Sequence, residues 1–200
     1  MKNIYKVTIL SLHLLHNISY ADVAHGVLER YKKGNTFICV GLGPCINLAR
    51  AYNAKFVHMH GLDEDEVFVE HAKTIFPGSF GIPASRNYHI HRGGTDELRA
   101  IMKDINEPVT ILLGNYHPDI DYIKPNAVLD ELEAIRQHPI NTHTILIEYI
   151  QYADTELFGN ISLDEVKDKL LEINRRYSFA FADGGHLEKD KNAILVAYVG

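Results

Sequence analysis

Thr36-Phe37-Ile38-Cys39-Val40-Gly41-Leu42-Gly43-Pro44-Cys45 is an apolar, β-prone run that stops on closely spaced glycines and leads into a helix-compatible segment. It reads as a buried parallel strand followed by a sharp turn. The glycines let the backbone approach a ligand, and the next helix presents its free N–H groups there. Sites of the nucleotide-binding type begin in this way. In many of them the residue two before the first glycine is a carboxylate; here it is Cys39.

Outward from this turn the chain alternates strand and helix patterns. Candidate strands fall at 36–40, 55–60, 86–91, 109–113, 143–148, 177–182 and 193–199, with helical patterns at about 46–53, 65–76, 95–105, 125–138 and 162–174. Asp22–Lys33 carries a helical stripe before the first strand, and Ser162-Leu163-Asp164-Glu165 has the form of a capping box. Such alternation predicts a parallel sheet covered on both faces. Asp183–Asn192 is a polar loop without helical pattern, so the last two strands should form an antiparallel hairpin.

The 200 residues, 46% hydrophobic and 23% charged, suit one globular domain. A formal charge of −6 and the lack of a Lys/Arg cluster argue against nucleic acid as a partner. Residues 1–21 read as a signal peptide: Lys2 and Lys6, then the mostly apolar Val7–Leu15, then Ser19-Tyr20-Ala21 as a small-x-small cleavage site. Their removal would take the charge from −6 to −8 and leave a domain over 22–200, exported to the periplasm or medium; a retained segment would leave the protein cytoplasmic. No later run is long enough for a membrane span. Cys39 and Cys45 are too few for a disulfide framework or a closed zinc site; they read as two buried small side chains or, in an exported protein, a redox pair.

Six parallel-type strands and a reversed seventh, from about Val23 to Gly200, resemble the class I S-adenosylmethionine-dependent methyltransferases. Similar segments in a bacterial methyltransferase-like branch include Val27-Leu28-Glu29-Arg30-Tyr31, Leu129-Asp130-Glu131-Leu132-Glu133-Ala134-Ile135, Thr144-Ile145-Leu146-Ile147, Ile161-Ser162-Leu163-Asp164-Glu165-Val166-Lys167 and Asn192-Ala193-Ile194-Leu195-Val196-Ala197-Tyr198. The resemblance implies a Rossmann-like α/β sheet in the order 3-2-1-4-5-7-6 with the last strand antiparallel. It also implies S-adenosylmethionine as cofactor and a small molecule as methyl acceptor. The family's acidic residue and Gly-x-Gly-x-Gly fall on Cys39, Gly41, Gly43 and Cys45, keeping two glycines. The ribose-binding acid after the second strand matches Asp63. An adenine-side acid falls at Gly93-Gly94, so Gly94 borders the cofactor without a carboxylate. Leu-Asp-Gly-His after the fourth strand corresponds to Leu113-Gly114-Asn115-Tyr116, and Ile-Asp-Asp after the fifth to Ile147-Glu148-Tyr149.

In metal-dependent relatives of this fold the carboxylates after strands four and five gather a divalent cation that orients a substrate hydroxyl. With Gly114 in one place that arrangement is incomplete, and no metal is assigned there, although Asp119 and Asp121 are within the neighbouring loop. Tyr116, His117 and Glu148 are the candidates for acid–base work on that rim. Histidine is the other signal: His58 and His60 alternate along one candidate strand, His89 and His91 along the next. Four imidazoles on adjacent edge strands suit zinc, copper or nickel if they share a face, whereas pairs on opposite faces or under a covering helix are structural. Two functions follow: a methyltransferase acting on a small acceptor, or a non-catalytic exported binding protein that keeps the fold with degenerate motifs.

Overall fold

The computed structural model describes residues 26–76, 87–114, 127–184 and 191–200. The expected leader, Tyr116, His117, Asp119 and Asp121 lie outside the described residues.

The strands are β1 (Thr36–Val40), β2 (His58–Asp63), β3 (Asn87–Arg92), β4 (Thr110–Leu113), β5 (Thr144–Ile147), β6 (Ser178–Ala182) and β7 (Ile194–Tyr198). The helices are α1 (Val27–Tyr31), α2 (Ile46–Asn53), α3 (Glu66–Ile75), α4 (Thr95–Asp104), α5 (Ala127–Arg136) and α6 (Leu163–Ile173). The sheet order is β3-β2-β1-β4-β5-β7-β6. The first five strands pair in parallel, and β7 runs antiparallel to both β5 and β6. The expected sheet and its closing hairpin are present.

All five residues of β1 are buried, because this central strand feeds two cores. Phe37 and Cys39 pack toward α1, α2 and α3 with Leu28, Leu48 and Val69; Ile38 and Val40 pack toward α4, α5 and α6 with Leu98, Leu132 and Leu170. Alternation along a pleated strand makes both contacts possible from one apolar run. The capping box at α6 forms as expected, with Ser162 and Glu165 each accepting the other's backbone N–H.

One strand differs from the sequence reading by more than a residue at its ends. The second strand is His58–Asp63, not 55–60. Lys55 takes a left-handed turn (φ 64°) on leaving α2, and the strand instead runs on through Gly61-Leu62-Asp63. Gly61 does not break it but makes it fit: a Cβ there would come within 2.4 Å of Leu42 and 2.8 Å of Leu48.

Two histidines are structural. The Val109 N–H donates to His143 Nδ1 (3.1 Å), which leaves His143 Nε2–H to donate to His138 Nδ1 (3.1 Å) and His138 Nε2–H to donate to the Ile105 carbonyl (3.1 Å). This neutral chain ties the starts of β4 and β5 to the end of α4. Burial, then the neighbouring His138, pushes the His143 pKa down from 6.5 to about 4. Between those values the unfolded chain binds a proton that the folded chain refuses, so stability falls as pH falls. Urea denaturation free energies should decline from pH 6.5 to 4.5 by roughly 2–3 kcal/mol from this group. His143→Gln should make the slope shallower; an unchanged slope would place the pH dependence elsewhere.

Candidate functional site

The parallel hydrogen-bond ladder continues past the strand ends and fixes a rim. Gly41 N–H donates to Leu62 O (2.9 Å), Gly93 N–H to Asp63 O (2.9 Å), Gly114 N–H to Val40 O (2.8 Å) and Glu148 N–H to Leu113 O (2.9 Å). The expected positions Gly41, Gly43, Asp63, Gly94 and Glu148 therefore belong to one edge, at the C-terminal ends of β1, β2, β3 and β5. Open α/β sheets bind ligands at this edge, where the strand order reverses.

Gly41 (φ 90°) and Gly43 (φ 45°) take the left-handed conformations that the turn needs. Cys45 does so as well, at φ 67°, and is the N-cap of α2. The third glycine of the motif is thus replaced in letter but not in backbone shape, at a strain of order 1 kcal/mol that the packed surroundings must offset. The buried thiol of Cys39 donates to Gly41 O (3.2 Å) from within the turn, where a charged carboxylate would be desolvated. Neither cysteine is in a disulfide, and burial, assisted by the charge of Asp63, pushes the Cys45 thiol up to about 12. Two free, buried thiols suit small core side chains better than a reactive redox pair.

Asp63 is 6% exposed, and its two oxygens accept the N–H groups of Leu42 (2.9 Å) and Asp65 (2.8 Å). Burial raises its pKa while those backbone donors pull the other way. The carboxylate thereby braces the glycine turn from the neighbouring strand. Asp65 in turn caps α3 by accepting the Val67 N–H (2.8 Å).

Two rim glycines have neighbouring acids where their own side chains would be. A Cβ on Gly94 would meet Glu64 Oε1 at 2.2 Å, and a Cβ on Gly114 would meet Glu148 Oε2 at 2.3 Å. Acids that follow the adjacent strands β2 and β5 thus approach the two glycines that stand where the resemblance has carboxylates. Glu64 is exposed, whereas Glu148 is buried and accepts a hydrogen bond from Asn47 Nδ2 of α2 (3.1 Å). Sequence reading missed Glu64, hidden in the run Asp63–Glu66, and Asn47, which carries no motif. The signal available for both acids was a glycine on the next strand.

The histidine pairs share a face. His60 stacks on His89 (ring centroids 4.7 Å) and lies beside His91 (5.5 Å), while His58 Nδ1 meets Asn87 Nδ2 at 3.3 Å. They line the α4 side of the sheet, away from the glycine turn. Among the described residues, no group of three or more His, Cys, Asp or Glu side chains is arranged to hold a metal ion.

No family model and no curated protein sequence matches the chain. Solved structures do. An O-methyltransferase from Bacillus cereus in complex with S-adenosylhomocysteine superposes with a TM-score of 0.61 at 14% identity, over 100% of this chain and 91% of its own. DesVI of Streptomyces venezuelae superposes at 0.57 with 11% identity, over 99% of each chain. An rRNA methylase from Streptococcus thermophilus superposes at 0.55 with 12% identity, over 88% of this chain and 93% of its own. The chain has the class I methyltransferase fold. Within that fold the glycine turn follows β1 and Asp63 ends β2. Having an rRNA methylase among its likenesses, the fold does not itself argue against nucleic acid; the charge balance alone does. Among the described residues no helix is long and apolar enough to cross a membrane.

The tight fit at Gly114 gives a direct check. Gly114→Ala forces its methyl against the Glu148 carboxylate and should cost about 1–3 kcal/mol in urea unfolding. In Gly114→Ala/Glu148→Ala the methyl enters vacated space, so the two costs should sum to more than the double variant shows. Simple additivity would mean that the two groups do not compete.

Proposed function

We propose that this chain binds S-adenosylmethionine across the ends of β1 and β2 and directs its methyl group to a small acceptor near β4 and β5. The observation that carries the reading is the braced turn: left-handed backbone at Gly41, Gly43 and Cys45, held by the Asp63 carboxylate of the next strand. Such a turn lets a ligand approach the backbone at the start of α2. Gly41 and Gly43 provide that approach. Glu64, exposed above Gly94, offers the acceptor for ribose or adenine donors that Gly94 itself lacks. Bound S-adenosylmethionine would bring an electrophilic sulfonium methyl. The protein's part is alignment more than proton transfer, since the one described acid–base candidate, Glu148, is buried against Asn47.

One observation favours the second reading, a non-catalytic binding protein. Both Asp63 oxygens are already engaged by backbone amides, and the side chain has little exposure left for a ribose. If residues 1–21 are a cleaved export signal, this reading gains further, because S-adenosylmethionine is a cytoplasmic metabolite.

Calorimetric titration of the full chain with S-adenosylmethionine and S-adenosylhomocysteine separates the two. Binding of both ligands is expected. Glu64→Ala should weaken it roughly ten-fold or more, as expected for removal of a charge-assisted acceptor. Asp63→Ala should lower affinity and unfolding free energy together, because it releases the turn. No binding by the unmodified chain would discard the cofactor and leave the non-catalytic reading.

A further inference from the structure

The face of β2 and β3 that packs toward α4 holds a polar arrangement with no part in the rim. His91 Nδ1 lies 2.9 Å from Glu97 Oε1, and His91 Nε2 lies 3.3 Å from His60 Nδ1. The carboxylate fixes the tautomer of His91: Nδ1 carries the proton and donates to Glu97, which leaves the Nε2 lone pair aimed at His60. His60 Nδ1–H fills that space at present. A neutral imidazole can move this proton to its other nitrogen, after which two lone pairs converge on one point.

The spacing suits a metal ion. Two imidazole nitrogens bound at 2.0–2.1 Å to a tetrahedral ion stand about 3.3–3.4 Å apart. A carboxylate that accepts from the far nitrogen of a ligating histidine is the usual outer support of such a site. The surroundings agree. His58, His60, His91 and Glu97 line a cleft of about 580 Å³ that also carries Asp104 and Glu107, and its lining contains no Lys or Arg. Three carboxylates and three imidazoles make it attractive to a cation. The His138–His143 pair has similar spacing, 3.1 Å, but His138 Nδ1 also accepts the Ile140 N–H (3.3 Å) and His143 is fully buried, so no ion can enter there.

We propose that His60 Nδ1 and His91 Nε2 form a two-nitrogen clamp for a transition-metal ion of the zinc, cobalt or nickel kind, with Glu97 orienting His91 and the cleft admitting the ion. Water or His89, stacked on His60, completes the coordination. Among the described residues no group of three ligands is preassembled; the protein supplies a chelating pair, and the ion gathers the rest.

The test is titration of the chelator-treated full chain with Co(II), followed by visible absorption and by displacement with Zn(II). Saturable uptake of one ion per chain is expected. His60→Ala and His91→Ala should each weaken it at least ten-fold, and Glu97→Gln by about ten-fold. Imidazole NMR of the unmodified protein locates the ion without any variant, and Zn(II) should perturb the His60 and His91 ring signals. No saturable uptake, unchanged affinity in a folded His60→Ala or His91→Ala variant, or perturbation confined to other histidines would overturn the proposal.

Discussion

The hydrogen bond from the Leu42 amide to the Asp63 carboxylate is the constraint on which the rim depends. All three residues 41, 43 and 45 of the turn have positive φ, which most side chains rarely adopt, and the turn needs partners that hold it there. Asp63 supplies a partner from β2. Its other oxygen takes the Asp65 amide, and Asp65 caps α3, so one side chain couples the glycine turn to the start of a helix on the next strand. The cost is a carboxylate held out of water, visible in its raised pKa. Buried charge is retained where its hydrogen bonds are satisfied and where it fixes a shape, and this turn meets both conditions.

The acids of the rim show how position can outlast identity. Gly94 and Gly114 lack side chains, and oxygen atoms of Glu64 and Glu148 lie 2.2 and 2.3 Å from where their Cβ atoms would be. In a parallel sheet adjacent strand ends are only about 5 Å apart, within reach of a glutamate from either. A glutamate that follows one strand can therefore place its charge beside the end of the next. The glycine is what admits it, since a Cβ at either position would collide with the acid.

Much of this was legible in the sequence, for identifiable reasons. The strand–helix alternation and the polar loop 183–192 fixed the parallel sheet and its reversed last strand, because each local pattern permits one kind of connection. Three things were not legible. The extension of β2 to Asp63 depends on Gly61 receiving Leu42 and Leu48, a contact between residues far apart in sequence. The left-handed backbone at Cys45 contradicts the residue's own preference and is imposed by the packed turn. The approach of Glu64 to Gly94 joins residues of two different strands, which aligning one motif at a time does not bring together.

Strand β2 shows how two separate arrangements share six residues. Met59 and Gly61 face the core under α2 and α3, with Gly61 admitting the leucines that seat the glycine turn, while His60 and Leu62 face the α4 side. Side-chain alternation separates the rim machinery from the histidine face as firmly as distance would. The strand lies one position in from the edge, so its neighbour β3 covers one flank and leaves the α4 face partly open. In the strand His-Met-His-Gly-Leu-Asp, Gly61 and Asp63 have poor intrinsic β propensity and no residue is β-branched or Phe, Tyr or Trp. Its conformation is set instead by parallel ladders on both sides, from Thr36–Val40 and from Asn87–Arg92. Polar and conformationally free residues are thereby placed in a rigid frame, which is what a binding surface requires and what local propensity alone would not provide.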